Sequence, residues 1–173
     1  MKLGFAILTC LVTLSISACG YHVAGRASTL PSEWKDIAIP AFKNDTTQYR
    51  IEQVFTQAVI REFISRTKYR VVQNVDSADG VLYGEILSIE ANPILFNANS
   101  GEVTTMLVTV HARVSLVDSK TRKPVYENKD VVFRQQYQIS TDVKSFFQEE
   151  SPALERMARD FASHLVSNVM ENF

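Results

Sequence analysis

The sequence predicts an α+β two-layer sandwich, with two amphipathic helices on one face of a mixed sheet of about four to five strands and a long C-terminal hairpin. Three patterns carry that expectation. Two segments, one after Asn44–Thr47 and one from Ser151, repeat apolar residues at three- and four-residue steps. The stretch from Val103 to Ile139 alternates over two long runs separated by a charged turn. The first helix is flanked by two apolar strands, an order that favours parallel pairing.

The amino terminus sets the compartment. Lys2 precedes an apolar run from Leu3 to Ile16, and Ser17 and Ala18 then stand before Cys19. Charge, apolar core and small residues in that order make an export signal, and the run is too short for a membrane-spanning helix. Ile16-Ser17-Ala18-Cys19-Gly20 resembles the lipobox of bacterial lipoproteins. That resemblance implies a Cys19 carrying N-palmitoyl and S-diacylglycerol groups; the other reading is an ordinary signal that contains a cysteine. The expected organisation is a signal peptide over 1–18, a lipidated tether over 19–31 and one domain over 32–173.

Removing the first 18 of 173 residues leaves 155, enough for one domain with its own core. Lys2 leaves with them, so the formal charge moves from −1 to −2. That balance argues against a nucleic-acid binder, which needs a basic surplus. Cys10 is also removed and Cys19 is acylated, so the mature domain holds no thiol for a disulfide, a metal or nucleophilic catalysis. No later apolar run is long enough to cross a bilayer, which leaves the lipid as the expected anchor. Gly20 stands where a retention Asp would be, which implies outer-membrane delivery by the enterobacterial rule.

Along the domain, Ile37 to Phe42 is the first strand, with Pro40 marking its end or a bulge. Asp45 and Gln48 have capping-box spacing before the first helix. Ile51, Val54, Phe55, Ala58, Val59 and Phe63 form its apolar face, which Ile60 and Ile64 are expected to widen. Tyr69–Val75 is the second strand. Asp76–Gly80 is a turn, and Val81–Ala91 a third strand whose facing stays open because both alternating sets contain apolar residues. Gly84 within it points to a bend or a close backbone approach. Asn92–Gly101 is expected as a loop, and its Ile94, Leu95 and Phe96 either fold back, prolong the strands, or form an exposed apolar finger for a lipid or partner.

In the following strand Met106, Val108, Val110, Ala112, Val114 and Leu116 share one face, opposite Thr105, Thr109, His111, Arg113 and Ser115. Asp118–Lys123 turns the chain, and Val125–Ile139 returns with Val131, Phe133, Tyr137 and Ile139 on one side. Strands of fifteen residues would be about 50 Å long, so the domain is expected to be elongated. The last helix starts from a Ser151 cap with Pro152 at its first position, and Leu154, Met157, Ala158, Phe161, Leu165, Val169 and Met170 make its stripe.

Chemistry-bearing motifs are scarce. His22, His111 and His164 have no metal-ligand spacing, and no HExxH, nucleophile elbow or glycine-rich phosphate loop occurs. Glu149, Glu150 and Asp79 are not paired as acid and base by anything in the sequence. Neither an enzyme nor a cofactor is expected. The basic turn Lys120, Arg122 and Lys123, with Arg113 and Arg134 on the polar strand faces, either keeps the hairpin soluble or binds anionic groups such as lipid phosphates.

Taken together, the Cys19-Gly20-Tyr21-His22 start, Ile37–Asn44 with Thr46, the first helix, Tyr69–Val72, Ala78–Ile86, the hairpin and the final helix resemble the LptE family of lipopolysaccharide-assembly lipoproteins. The resemblance implies a plug inside the LptD outer-membrane β-barrel that helps the barrel assemble and contacts lipopolysaccharide on its way to the cell surface. It makes that barrel, lipopolysaccharide and the outer membrane the expected partners. Basic sheet residues contact lipopolysaccharide in the family; Arg113, Lys120, Arg122, Lys123 and Arg134 are nominated here from their chemistry, and Ile94, Leu95 and Phe96 as a partner contact. The N-terminal half also resembles LpoB- and CsgG-like lipoproteins, which activate a peptidoglycan synthase or form a secretion complex. The long hairpin followed by one helix favours the first family.

Overall fold

A computed structural model describes residues 30–138 and 152–171. Cys19, Ile139, Glu149, Glu150 and the Ser151 cap lie outside the described residues. The elements are β1 (Asp36–Ala38), β2 (Lys43–Asn44), α1 (Ile51–Arg66), β3 (Arg70–Val72), a 3₁₀ turn (Val75–Ser77), β4 (Gly80–Phe96), β5 (Val103–Asp118), β6 (Pro124–Gln138) and α2 (Pro152–Glu171).

They make an α+β sandwich on one mixed six-stranded sheet, ordered β3-β1-β4-β5-β6, with β2 also on β4. The expected four to five strands become six because the strand expected over Ile37–Phe42 is two short pieces separated around Pro40. A proline cannot donate to a ladder, so the chain leaves β4 after Ala38 and rejoins it at Lys43, opposite Glu85. β1 pairs in parallel with β3, as the strand–helix–strand order predicts, and its other edge pairs in parallel with β4.

β4, β5 and β6 form an antiparallel meander of 17, 16 and 15 residues. At ~3.3 Å per residue β4 is roughly 55 Å long. It does not end at Ala91: the segment expected as a loop from Asn92 continues the ladder, with Pro93 opposite Met106 and Phe96 opposite Val103. Ile94–Phe96 prolong the strand and remain exposed on it.

α1 and α2 cover one face of this sheet. Between the layers lie Phe55, Phe63, Met157, Phe161 and Leu165 from the helices, packed with Leu82, Ile86, Met106, Val110 and Leu116 from the sheet. Phe161 is central, with its ring centroid 4.9 Å from Phe55 and 6.0 Å from Phe133, both edge-to-face. Leu30 is already part of this core, so packing begins ahead of residue 32. Ala38, Ala78 and Val81 make a small second cluster with Val72 and Val75.

Two details of α1 differ from expectation. It begins at Ile51 behind Arg50, whose φ is 56°, and no side chain caps it. The Asp45/Gln48 capping box does not form, because Asp45 turns to Lys43 while Asn44 organises the loop. The Asn44 amide donates to the Gln48 carbonyl and the Glu52 carboxylate, and its oxygen accepts from the Thr46 N–H. Ile64 is 60% exposed and does not widen the apolar face. A buried polar group does the tying instead. The Thr56 hydroxyl accepts the Phe42 N–H at 3.0 Å and donates to the Glu52 carbonyl, fastening the β1–β2 connection to the helix.

Candidate functional site

The nominated residues fall in three separate places. Cross-strand partners share a face, so β5 aligns them. Glu85 is opposite Arg113, Glu90 opposite Thr109, and Thr109 opposite Arg134. Arg113 and Arg134 therefore lie on the sheet face away from the helices, with Tyr83, His111, Leu107 and Gln136. The structure brings Arg113 into an ion-pair cluster. Glu85 accepts from both the Arg113 guanidinium and the Lys43 ammonium, and Lys43 also reaches Asp45 at 2.9 Å. The Glu85 hydrogen bond, then that of Asp45, raises the Lys43 pKa; the Lys43 hydrogen bond holds Asp45 below its ordinary value. Arg134 is exposed on the edge strand with no ion pair among the described residues.

The basic turn lies at the end where β4 starts. Its shape is set by Asp118, whose carboxylate accepts from the backbone of Lys120 at 2.9 Å and Thr121 at 2.6 Å. Arg122 adopts φ 59° to close it. Asp79 joins this turn to the domain: its carbonyl accepts from Ser119, while its carboxylate accepts from the Lys35 and Asp36 N–H groups. Those backbone donors keep Asp79 below the ordinary carboxylate range, and the Thr121 N–H does the same for Asp118. Both carboxylates stay charged while they hold backbone, and Lys120 and Lys35 favour the charge on Asp79. The side chains of Lys35, Lys120, Arg122 and Lys123 remain exposed.

Ile94, Leu95 and Phe96 occupy the opposite end, 37, 57 and 58% exposed. Below them Asn97 structures the turn, accepting from Asn99 and Ser100 while exchanging backbone bonds with Gly101 and Glu102. The apolar tip and the basic turn stand about 50 Å apart along β4 and β5 and cannot contact one small ligand together.

Two features were not legible in the sequence. The Arg113–Glu85–Lys43 cluster depends on β2 joining β4 by only two residues. An open concavity of about 600 Å³ lies before α1, lined by Phe42, Asn44, Thr46, Tyr49 and Arg50 among others. Asn44 and Thr46 there are engaged in the loop's own hydrogen bonds. Among the described residues no group of three His, Cys, Asp or Glu is placed to hold a metal, and no helix is long and apolar enough to cross a membrane. Cys19 lies outside the described residues.

The arrangement is that of an α+β sandwich in which, among the described residues, helices cover one sheet face only. Solved structures with this fold include a protein of Xanthomonas campestris (14% identity, TM-score 0.54, covering 80% of this chain and 84% of that one). An uncharacterized lipoprotein B of Nitrosomonas europaea is similar at 15% identity and TM-score 0.52, with 88% and 92% covered. The PelC dodecamer of Paraburkholderia phytofirmans is similar at 12% identity and TM-score 0.54, with 83% and 94% covered. Within that class, the family model LptE, described as lipopolysaccharide-assembly, matches residues 34–169, and the chain belongs to this family. No curated protein matches it.

Proposed function

We propose that the chain works as a lipid-anchored outer-membrane protein, acylated at Cys19 after removal of residues 1–18, that plugs an LptD-like β-barrel and takes part in passing lipopolysaccharide to the cell surface. Membership of the LptE family over residues 34–169 carries this reading. The shape supports it. A plug needs an elongated body with a polar surface toward a polar barrel lumen. Here a sheet roughly 55 Å long has, among the described residues, one face without a helix layer, and that face carries Arg113, His111, Glu90, Arg134 and Gln136. Arg134, exposed and without an ion pair among the described residues, is the better candidate of the two face arginines for an anionic group; Arg113 already has Glu85. Ile94–Phe96 would meet an apolar part of the partner at the far end.

The test is extraction of the full-length protein in mild detergent, followed by purification through a C-terminal tag. One large outer-membrane barrel in equimolar amount is expected. Recovery of a peptidoglycan synthase, or of a homo-oligomeric ring, would refute the plug reading in favour of an LpoB- or CsgG-like role. The mass of the amino-terminal peptide tests Cys19 separately.

A further inference from the structure

We propose that the outer edge of β6 is a self-pairing surface, on which a second copy of this chain lays its own β6 antiparallel, making one continuous sheet across a two-fold axis. The inference concerns the chain apart from any barrel and does not rest on the barrel reading. The sheet order leaves β3 and β6 outermost. β3 is three residues long, whereas β6 is fifteen and pairs, among the described residues, with β5 alone. An open edge presents every second N–H and C=O to an approaching strand, and proteins blunt such edges with prolines, lysines and bulges. β6 keeps those devices in its first half: Pro124, Lys129 and the register shift opposite Ala112 and Val114. Over residues 131–138 its register with β5 is unbroken, and that half holds no proline and one charge, Arg134. It is a regular edge with nothing to blunt it.

The residues there are self-complementary in one register. Strands joined across a two-fold axis keep their faces, so a residue facing the helices meets another that faces them. An axis at Arg134 would set two guanidinium groups directly opposite each other, which is destabilising. An axis at Phe133 would run the ladder into the Lys129 bulge, and axes beyond Gln135 pair fewer of residues 131–138. Centred on Gln135, Arg134 meets Gln136 of the second copy, Phe133 meets its Tyr137, and Val132 meets its Gln138. The helix layer agrees with this register. The Tyr137 hydroxyl donates to Asp160 at 3.0 Å, and the Phe133 ring lies 6.2 Å from the His164 ring. Setting Phe133 beside Tyr137 of the second copy therefore carries exposed His164 toward the exposed Asp160 of that copy, and symmetry repeats the pair. Cation faces acid in the helix layer, and no like charges oppose in the sheet.

The mature lipidated protein, purified in mild detergent without the barrel, tests this. Its mass by sedimentation equilibrium in density-matched detergent should rise from one copy to two with concentration. With Cys10 removed and Cys19 acylated, as proposed, an added cysteine carries the only thiol. Gln135→Cys lies on the axis, with the two Cα atoms about 4.5–5.5 Å apart, so mild oxidation should link it across the pair. Gln138→Cys residues would stand six positions apart along the strands, about 20 Å, and should stay unlinked. Gln136→Arg sets an arginine against Arg134 twice and should weaken the dimer about tenfold, with an unchanged thermal melt because Gln136 is exposed. A single-copy mass at every concentration means that something other than a second copy takes this edge, and overturns the proposal. Equal linking at positions 135 and 138, the mark of two copies merely sharing a micelle, overturns it too, as does a dimer indifferent to Gln136→Arg. Recovery of an equimolar barrel from cells is read separately: with a single-copy mass it leaves the barrel reading standing and removes this one, and a dimer without a barrel does the reverse.

Discussion

Gly84→Ala isolates the tightest backbone approach in the core. A Cβ at this position would lie 2.6 Å from three carbons of the Phe42 ring, whereas ordinary contact begins near 3.4 Å. The ring must then retreat by about 1 Å in an interior packed like a crystal. It has little room, since Phe42 is 2% exposed and its N–H is held by Thr56. Overpacking of this kind costs about 1–3 kcal/mol, offset by ~0.4–1 kcal/mol because alanine restricts the unfolded chain. A net loss of about 1–2 kcal/mol follows, lowering the melting temperature by roughly 2–8 °C for a domain of this size. Urea unfolding at pH 7 would read it as a shift in midpoint at constant slope. Phe42→Leu should relieve the clash, so the double variant should exceed additivity by at least ~0.5 kcal/mol. A neutral Gly84→Ala, or strict additivity with Phe42→Leu, would refute the packing of this ring on Gly84.

Other perturbations probe different layers. Phe161→Ala removes the ring shared by Phe55 and Phe133 and should cost about 3–5 kcal/mol in urea unfolding, with α2 losing its protection from hydrogen exchange first. Asp79 is depressed in the folded state, so its contribution is fully present above the ordinary carboxylate pKa of about 3.9 and is lost as pH falls through its lower folded value. Asp79→Asn should therefore flatten the loss of stability below about pH 4 in thermal melts; an unchanged acid limb would remove Asp79 from that role. Deleting Leu87, the unpaired residue of the bulge, should leave the fold intact, because Ser88 would follow Ile86 directly opposite His111 and Ile86, Ile89 and Ala91 would keep facing the helices. Loss of the native circular dichroism spectrum would contradict the face assignment.

That deletion touches the reason β4 was hard to read. Leu82, Gly84 and Ile86 face the helices, but a register shift between Ile86 and Ser88 moves the inward set to Ile89 and Ala91. Alternation by two therefore changes phase inside one strand, and no single face could be read from the sequence. β5 keeps one phase from Met106 to Leu116 and was fully legible. The final helix was legible too, since Leu154, Met157, Phe161, Leu165 and Val169 recur over about four turns and all are buried. Ala162 and Val166, also buried, broaden the expected stripe. In the candidate site, the cations could be named from chemistry, but their separation could not. Arg113 gains Glu85 only through cross-strand register, and Lys35 joins the basic turn through Asp79, a contact spanning 44 residues.

The interrupted strand around Pro40 also bears on how the chain is assembled in time. β4, β5 and β6 are contiguous in sequence and can close as a meander with short turns, whereas β1 and β2 need partners some 43 residues downstream. Loop-closure entropy delays such pairings. As the chain emerges, β1 has no ladder to join until Arg70–Val72 has followed, and β2 none until Glu85 and Ile86. For that interval Ile37, Ile39 and Phe42 are apolar residues without a core, a window in which the chain is open to misassociation.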